Sequence, residues 1–217
     1  MMLYERERTL MVEMGKKLLA SGLTEGTGGN LSISVEPGKA FLISPSGMDY
    51  NGILPEDMVL LDWEGEILEG SRTPSSEWEL HREAYNVRSE ARGVVHTHSP
   101  YATAFSTLGR DLPAVHYLIG YAGTSVPCTP YALFGSSELA RSVAPGLKRS
   151  RGVLLGNHGV LAVGSSLEKA YTIAEAVEYV AKIYAHAHTM GEPRILSEDQ
   201  MKEALCRFAT YGQQQEQ

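Results

Sequence analysis

The chain has 217 residues, 43% of them hydrophobic, which suits one sizeable core and a single domain spanning 1–217. Its formal net charge of −7 argues against nucleic acid as the main partner, and the lack of an apolar run of about 18 residues argues against a membrane span. The two cysteines, Cys128 and Cys206, suggest no disulfide framework, and Met1–Arg8 lacks the basic-then-apolar order of a secretory leader, so a cytoplasmic protein with reduced thiols is expected.

In chain order, residues 3–20 read as an amphipathic helix with Leu3, Leu10, Met14 and Leu18 near one stripe and Gly22 as its stop. The glycine-rich turn 26–30 leads into a strand at 31–35, with a second at 40–43. Segments 58–61 and 66–68 flank Asp62-Trp63-Glu64-Gly65 as a hairpin. Residues 76–90 have helical spacing, 92–97 form a buried strand, and Pro100 opens a helix. A short strand or extended piece at 124–127 precedes a helix at 136–148, whose last turn Pro145 disturbs. Strands at 152–155 and 160–163 enclose Asn157-His158-Gly159. Helices at 166–189 and 197–209 follow, then a polar tail. Lys148-Arg149-Ser150-Arg151 is expected to be a solvated helix end. Short strands in hairpin-like succession among helices indicate a largely antiparallel sheet covered by helices.

Three histidines carry the chemistry. His96 and His98 lie two apart at the end of an apolar strand, and alternation along a strand puts them on one face. A third imidazole, His158, arriving from a distant turn would give a three-histidine site in which a metal keeps an open position. Of the other histidines, His186 and His188 cannot share a helix face and suggest a surface or interface feature, while His81 fits a supporting or packing role. Glu77, at the start of a helix, either compensates the helix dipole or places a carboxylate close to the ion, as ligand or as proton carrier. The turns Gly26-Thr27-Gly28-Gly29-Asn30 and Ser44-Pro45-Ser46-Gly47, with the pair Ser75-Ser76, offer backbone N–H groups and hydroxyls for an anion. The first segment is neither a dinucleotide nor a Walker loop, and three such elements around a metal site suggest a phosphorylated substrate. No Gly-x-Ser-x-Gly elbow is present, and no lysine has the apolar setting of an imine former.

From about residue 5 to Tyr211, the sequence resembles the zinc-dependent class II aldolase/epimerase family. The resemblance is carried by Gly28-Gly29-Asn30-Leu31-Ser32, Ser44-Pro45-Ser46-Gly47, Ser75-Ser76-Glu77, His96-Thr97-His98, Ala114-Val115-His116-Tyr117, the segment from Pro127 to Gly135, and Asn157-His158-Gly159. It implies an α/β three-layer sandwich with a central, mainly antiparallel sheet between helices, assembled as a fourfold-symmetric homotetramer with active sites at subunit interfaces. It implies one Zn2+ per subunit, with Mn2+ or Co2+ as alternatives, held by His96, His98 and His158. Glu77 matches the acid/base residue, which can also ligate the resting metal. Gly29, Asn30, Ser46, Gly47, Ser75 and Ser76 match phosphate contacts. Tyr117 matches a proton donor reaching a neighbouring subunit's site, and Phe134 and Tyr211 match residues shaping the aldehyde end. The implied reaction is reversible cleavage of a ketose 1-phosphate to dihydroxyacetone phosphate and an aldehyde such as L-lactaldehyde. The substrate would be L-fuculose 1-phosphate or a 5-deoxy- or 5-methylthio-ribulose 1-phosphate. Three rivals stand beside it: a ribulose-5-phosphate-type 4-epimerase, in which aspartate usually replaces Glu77; a methylthioribulose-1-phosphate dehydratase; and a non-catalytic assembly module, which need not keep the histidines.

Overall fold

The computed structural model describes residues 2–208. Its centre is a seven-stranded sheet made of β1 (Asn30–Glu36), β2 (Ala40–Ile43), β3 (Val59–Asp62), β4 (Ile67–Glu69), β5 (Gly93–Thr97), β6 (Gly152–Leu155) and β7 (Gly159–Gly164), in the order β4-β3-β2-β1-β5-β7-β6. Every neighbouring pair is antiparallel.

Helices cover both faces, which is why β2, β6 and β7 are unbroken apolar runs. Successive residues point to opposite faces, and here both faces are core. Leu42, Leu60, Val95, Val160 and Ala162 enter one cluster, while Phe41, Ile43, Val59, Leu61, Val94, Leu161 and Val163 enter the other. The first cluster is closed by α1 (Glu5–Ala20), α3 (Pro100–Ser106) and the long α6 (Leu167–Met190), through Met11, Leu18, Phe105, Tyr171 and Val177. The second is closed by α2 (Trp78–Val87), α4 (Ser137–Ser142) and α5 (Ala144–Leu147), through Leu80, Ala84, Leu139 and Leu147. The expected three-layer arrangement is therefore present. A last helix, α7 (Glu198–Phe208), packs against a 3-10 turn at Tyr117–Tyr121.

Several expectations are refined. The helix expected over 136–148 is two helices, because Pro145 has no N–H to continue the first and sits instead in the first turn of α5, where none is needed. The helix expected over 76–90 is shorter. It starts after Glu77, and it stops at Arg88, whose guanidinium reaches Leu147 O at 2.6 Å and Ser150 O at 3.3 Å. Residues 124–127 form no strand, although Val126 and Leu112 exchange backbone hydrogen bonds of 2.8 and 3.0 Å. Lys148, Arg149 and Arg151 are exposed at the end of α5, as expected, but Ser150 is buried, its hydroxyl donating to Ala122 O at 3.2 Å. His186 and His188 lie exposed on α6, His186 against Tyr101 and His188 stacked on Tyr184. Among the described residues no helix is long and apolar enough to cross a membrane.

Candidate active site

β5 delivers two of the three histidines. Val95 points into the α1/α3/α6 core, so Val94 and His96 share the opposite face, beneath α2. His96 is fully buried, and His98, beyond the strand end, is exposed. The exit of the chain is fixed from outside: the Glu178 carboxylate accepts from the Tyr101 and Ala102 N–H groups at 3.0 and 2.8 Å, capping α3 just after His98.

The third histidine comes from the β6–β7 turn. The His158 N–H donates to Leu155 O at 3.0 Å, and Asn157 takes a left-handed conformation (φ 55°) that few residues other than glycine, asparagine and aspartate adopt readily. Gly159 follows. A Cβ there would sit 2.2 Å from Thr97 O, 3.1 Å from His98 Cδ2 and 3.2 Å from His96 Cε1, so only glycine lets the turn approach β5.

Candidate ligand atoms of the three imidazoles lie within 4.8 Å of one another. His96 Nδ1 is 2.9 Å from Val160 O; a carbonyl only accepts, so Nδ1 carries the hydrogen and Nε2 presents its lone pair. His96 Nε2 and His98 Nε2 are 3.0 Å apart. Glu77 reaches into the same space, with Oε2 at 3.3 Å from His96 Nε2 and Oε1 at 3.6 Å from His158 Nε2. Nitrogens about 2.0–2.1 Å from one tetrahedral ion stand roughly 3.3 Å apart, so the cluster has the dimensions of a cation site. Two buried polar atoms here, Glu77 Oε1 and His158 Nδ1, have no hydrogen-bond partner. Leaving such atoms unpaired is costly, and a free carboxylate oxygen in a histidine cluster suits a reactive or metal-facing role. Burial and the neighbouring ring of His96 hold the pKa of His98 and His158 down to about 4, so both are neutral donors near pH 7. For Glu77, burial pushes the carboxyl up, but His96, the Asn30 amide, His158 and His81 outweigh it, and the group lies below its ordinary value.

The anion side is built by β1 and two turns. Gly29 (φ +71°) brings its backbone against β5, where a Cβ would lie 2.6 Å from His96 O. Gly29, Asn30, Ser46, Gly47, Ser75 and Ser76 line one cavity of about 450 Å³ together with Glu77, His98 and His158. No lysine or arginine is in that lining among the described residues, so an anion would be met by hydroxyls and backbone N–H groups. Phe134, 64% exposed, lies on the rim with Tyr131. Tyr117 does not join this cavity; it is exposed on the 3-10 turn, against His116 and Phe208. Tyr211 lies outside the described residues. Sequence reasoning overlooked Tyr131, an aromatic three residues before Phe134 in the same loop. It also overlooked the inward use of Asn30. That side chain, expected at a phosphate, donates from Nδ2 to Glu77 Oε2 at 2.9 Å, while its Oδ1 lies 2.6 Å from His81 Nε2.

Comparison with known proteins agrees with this geometry. The family described as Class II Aldolase and Adducin N-terminal domain matches residues 9–185. A 5-deoxy-D-ribulose 1-phosphate aldolase of Bacillus thuringiensis is 46% identical over 98% of this chain and 100% of its own length. An L-fuculose phosphate aldolase of Haemophilus influenzae is 42% identical, with 88% of each chain covered. The solved structure of an L-fuculose 1-phosphate aldolase superposes with a TM-score of 0.91 at 41% identity, covering 94% of this chain and 96% of that one. With its antiparallel sheet between helical layers and its histidine cluster beside a carboxylate, this chain belongs to the class II aldolase and adducin family.

Proposed function

We propose that the protein is a metal-dependent aldolase that cleaves a ketose 1-phosphate reversibly to dihydroxyacetone phosphate and an aldehyde. The observation that carries this reading is a cluster of three histidines, two of which line a cavity beside a carboxylate oxygen without a partner and an anion seat with no lysine or arginine. His96, His98 and His158 would hold one Zn2+ per subunit, with Mn2+ or Co2+ able to replace it. When bound, the cation supplies Lewis acidity to the substrate's carbonyl and neighbouring hydroxyl oxygens.

The chain's own groups do the rest. Gly29, Ser46, Gly47, Ser75 and Ser76 seat the phosphate and so fix the three-carbon half that all candidate substrates share. Glu77, resting as the carboxylate, keeps Oε2 on Asn30 and uses Oε1 to take a proton from C3 of that half in condensation; in cleavage its protonated form returns that proton to C3. Tyr117, exposed on its 3-10 turn, would reach a neighbouring subunit of a homotetramer, give its phenol proton to the aldehyde oxygen in condensation and, as the phenolate, take it back from the C4 hydroxyl in cleavage, with solvent exchange resetting both groups between turnovers. Phe134 and Tyr131 would face the aldehyde. Their apolar surface suits the methyl or methylthio ends of all three candidate ketose 1-phosphates better than a charged end, with 5-deoxy-ribulose 1-phosphate placed first and L-fuculose 1-phosphate and the 5-methylthio analogue as close alternatives. The extent of the match to the Bacillus thuringiensis enzyme supports the same order.

The test is a substrate panel of these three ketose 1-phosphates and L-ribulose 5-phosphate, with coupled detection of dihydroxyacetone phosphate. Its release from at least one 1-phosphate is expected. Its absence throughout, or formation of an epimeric pentulose 5-phosphate, would overturn the proposal.

A further inference from the structure

Beneath the cavity, a row of polar side chains runs through the otherwise apolar layer between the sheet and α2. Asn30 and Ser32 share a face of β1, because Leu31 and Ile33 go to the other core. Across from them α2 presents His81 and Tyr85, four residues apart on one helix face. From the cavity inward, Asn30 Nδ2 is 2.9 Å from Glu77 Oε2, His81 Nε2 is 2.6 Å from Asn30 Oδ1, Ser32 Oγ is 2.6 Å from His81 Nδ1, and Tyr85 Oη is 2.7 Å from Ser32 Oγ. His81 and Ser32 are fully buried, and Asn30 and Tyr85 nearly so.

The direction of every bond follows from the chemistry at one end. An ionised carboxylate only accepts, so the Asn30 amide donates to Glu77 and turns its carbonyl towards His81. His81 must then carry its hydrogen on Nε2. A neutral imidazole has a single N–H, so Nδ1 is bare and the Ser32 hydroxyl donates to it. With its one hydrogen used, Ser32 accepts from Tyr85. All four bonds point at Glu77.

From this we propose that His81 is a positioning residue for Glu77, acting through Asn30 and kept in its Nε2–H form by Ser32 and Tyr85. The proposal rests on the proton-transfer role given to Glu77 above. The physical effect is to pin Oε2 and thereby hold the carboxylate plane, leaving Oε1 as the oxygen that meets the substrate carbon. If His81 carried its hydrogen on Nδ1, two lone pairs would face each other at the 2.6 Å contact with Asn30. The amide would turn over to relieve this and put its carbonyl against the Glu77 carboxylate. A merely space-filling residue would need none of this order, and four polar groups in an apolar layer are costly unless each is satisfied.

The experiment compares His81→Leu, His81→Gln and Ser32→Ala with the unaltered enzyme. It reads kcat, KM, metal content per chain, and exchange of a dihydroxyacetone phosphate C3 hydrogen with solvent deuterium, which reports the Glu77 proton transfer without any aldehyde. Supporting groups of this kind are worth about 10- to 100-fold. His81→Leu should therefore lose about that much in both kcat and exchange, with KM and metal content unchanged. His81→Gln, which offers a donor and an acceptor, should recover most of the loss. Equal rates for the Leu and Gln variants, or loss of metal in step with rate, would overturn the proposal. Independently of activity, long-range 1H–15N spectra of histidine-labelled protein should show the ring of His81 protonated on Nε2 and bare on Nδ1, and the opposite tautomer overturns it. If the His81 variants do not fold, that spectrum and the kinetics of Ser32→Ala decide in the same directions. Failure of the aldolase reading looks different: the unaltered enzyme would release no dihydroxyacetone phosphate, while the tautomer and the metal content would stand.

Discussion

Gly159→Ala is the sharpest probe of how the turn is fitted to β5. The added Cβ would lie 2.2 Å from Thr97 O, whereas ordinary contact begins near 3.4 Å, so a gap of 3.4 − 2.2 = 1.2 Å must open. The obstructing atom is backbone, between the two histidines of β5, and cannot swing aside. Either β7 moves away, carrying His158, or the end of β5 moves, carrying His96 and His98. Metal–ligand distances hold to within about 0.2 Å in a competent site, so a shift of this size is large. Overpacking of this kind costs about 1–3 kcal/mol. Expressed in metal binding, that weakens affinity by roughly 5- to 150-fold. The assay is a competition titration of Zn2+ against a chromophoric chelator, with circular dichroism to show that the variant is folded. Gly52→Ala, whose Cβ meets only Asp49 O at 3.9 Å, is the control. Equal Zn2+ affinity for both variants and the unaltered protein would refute the reasoning.

Three other outcomes are expected. Glu77→Gln keeps the metal but lowers turnover about 10²- to 10⁴-fold, the range for a positioned acid–base group, and a variant with full turnover removes Glu77 from that role. Chelation abolishes activity and lowers Tm by about 5–10 °C relative to protein in a hundredfold excess of metal over its Kd, with both restored by added Zn2+; an unchanged Tm by calorimetry speaks against a bound ion. His81 has its pKa depressed by burial and by His96 to about 3, against 6.5 when exposed. Between those values the unfolded chain binds a proton that the folded chain refuses, so folding stability falls as pH drops below 6.5. Urea unfolding from pH 6 to pH 5 should show a loss for this one group of about 1.2 kcal/mol, absent in His81→Gln; parallel curves for the two proteins would show that His81 is not held neutral.

Much of the site was legible because it rests on short-range rules. Alternation along a strand places His96 and His98 together, and the Asn157-His158-Gly159 turn has the composition of a left-handed bend. The double covering of the sheet was implied by the family resemblance, and the continuous apolar runs at 40–43, 152–155 and 160–163 fit it. What was not legible depends on pairing register. Asn30 stands opposite His96, and that alignment brings its amide between Glu77 and His81. No local pattern announces such an alignment. The 3-10 turn at Tyr117–Tyr121 was also missed. It is held by tertiary contacts with α6 and α7 and by a His116 ring that accepts from the Leu118 N–H at 3.3 Å, and such ties leave no periodicity to read.

The two walls of the cavity differ in how freely they can change. His96 lies in a strand packed on both sides, and Gly29 and Gly159 are held against β5 by backbone contacts. Tyr131 and Phe134 sit on a surface loop at the rim, each more than half exposed. Substitutions there touch few neighbours and cost the fold little. On the proposed reading, exchange of these rim side chains would alter the fit of the aldehyde and leave the backbone contacts that set the histidines in place.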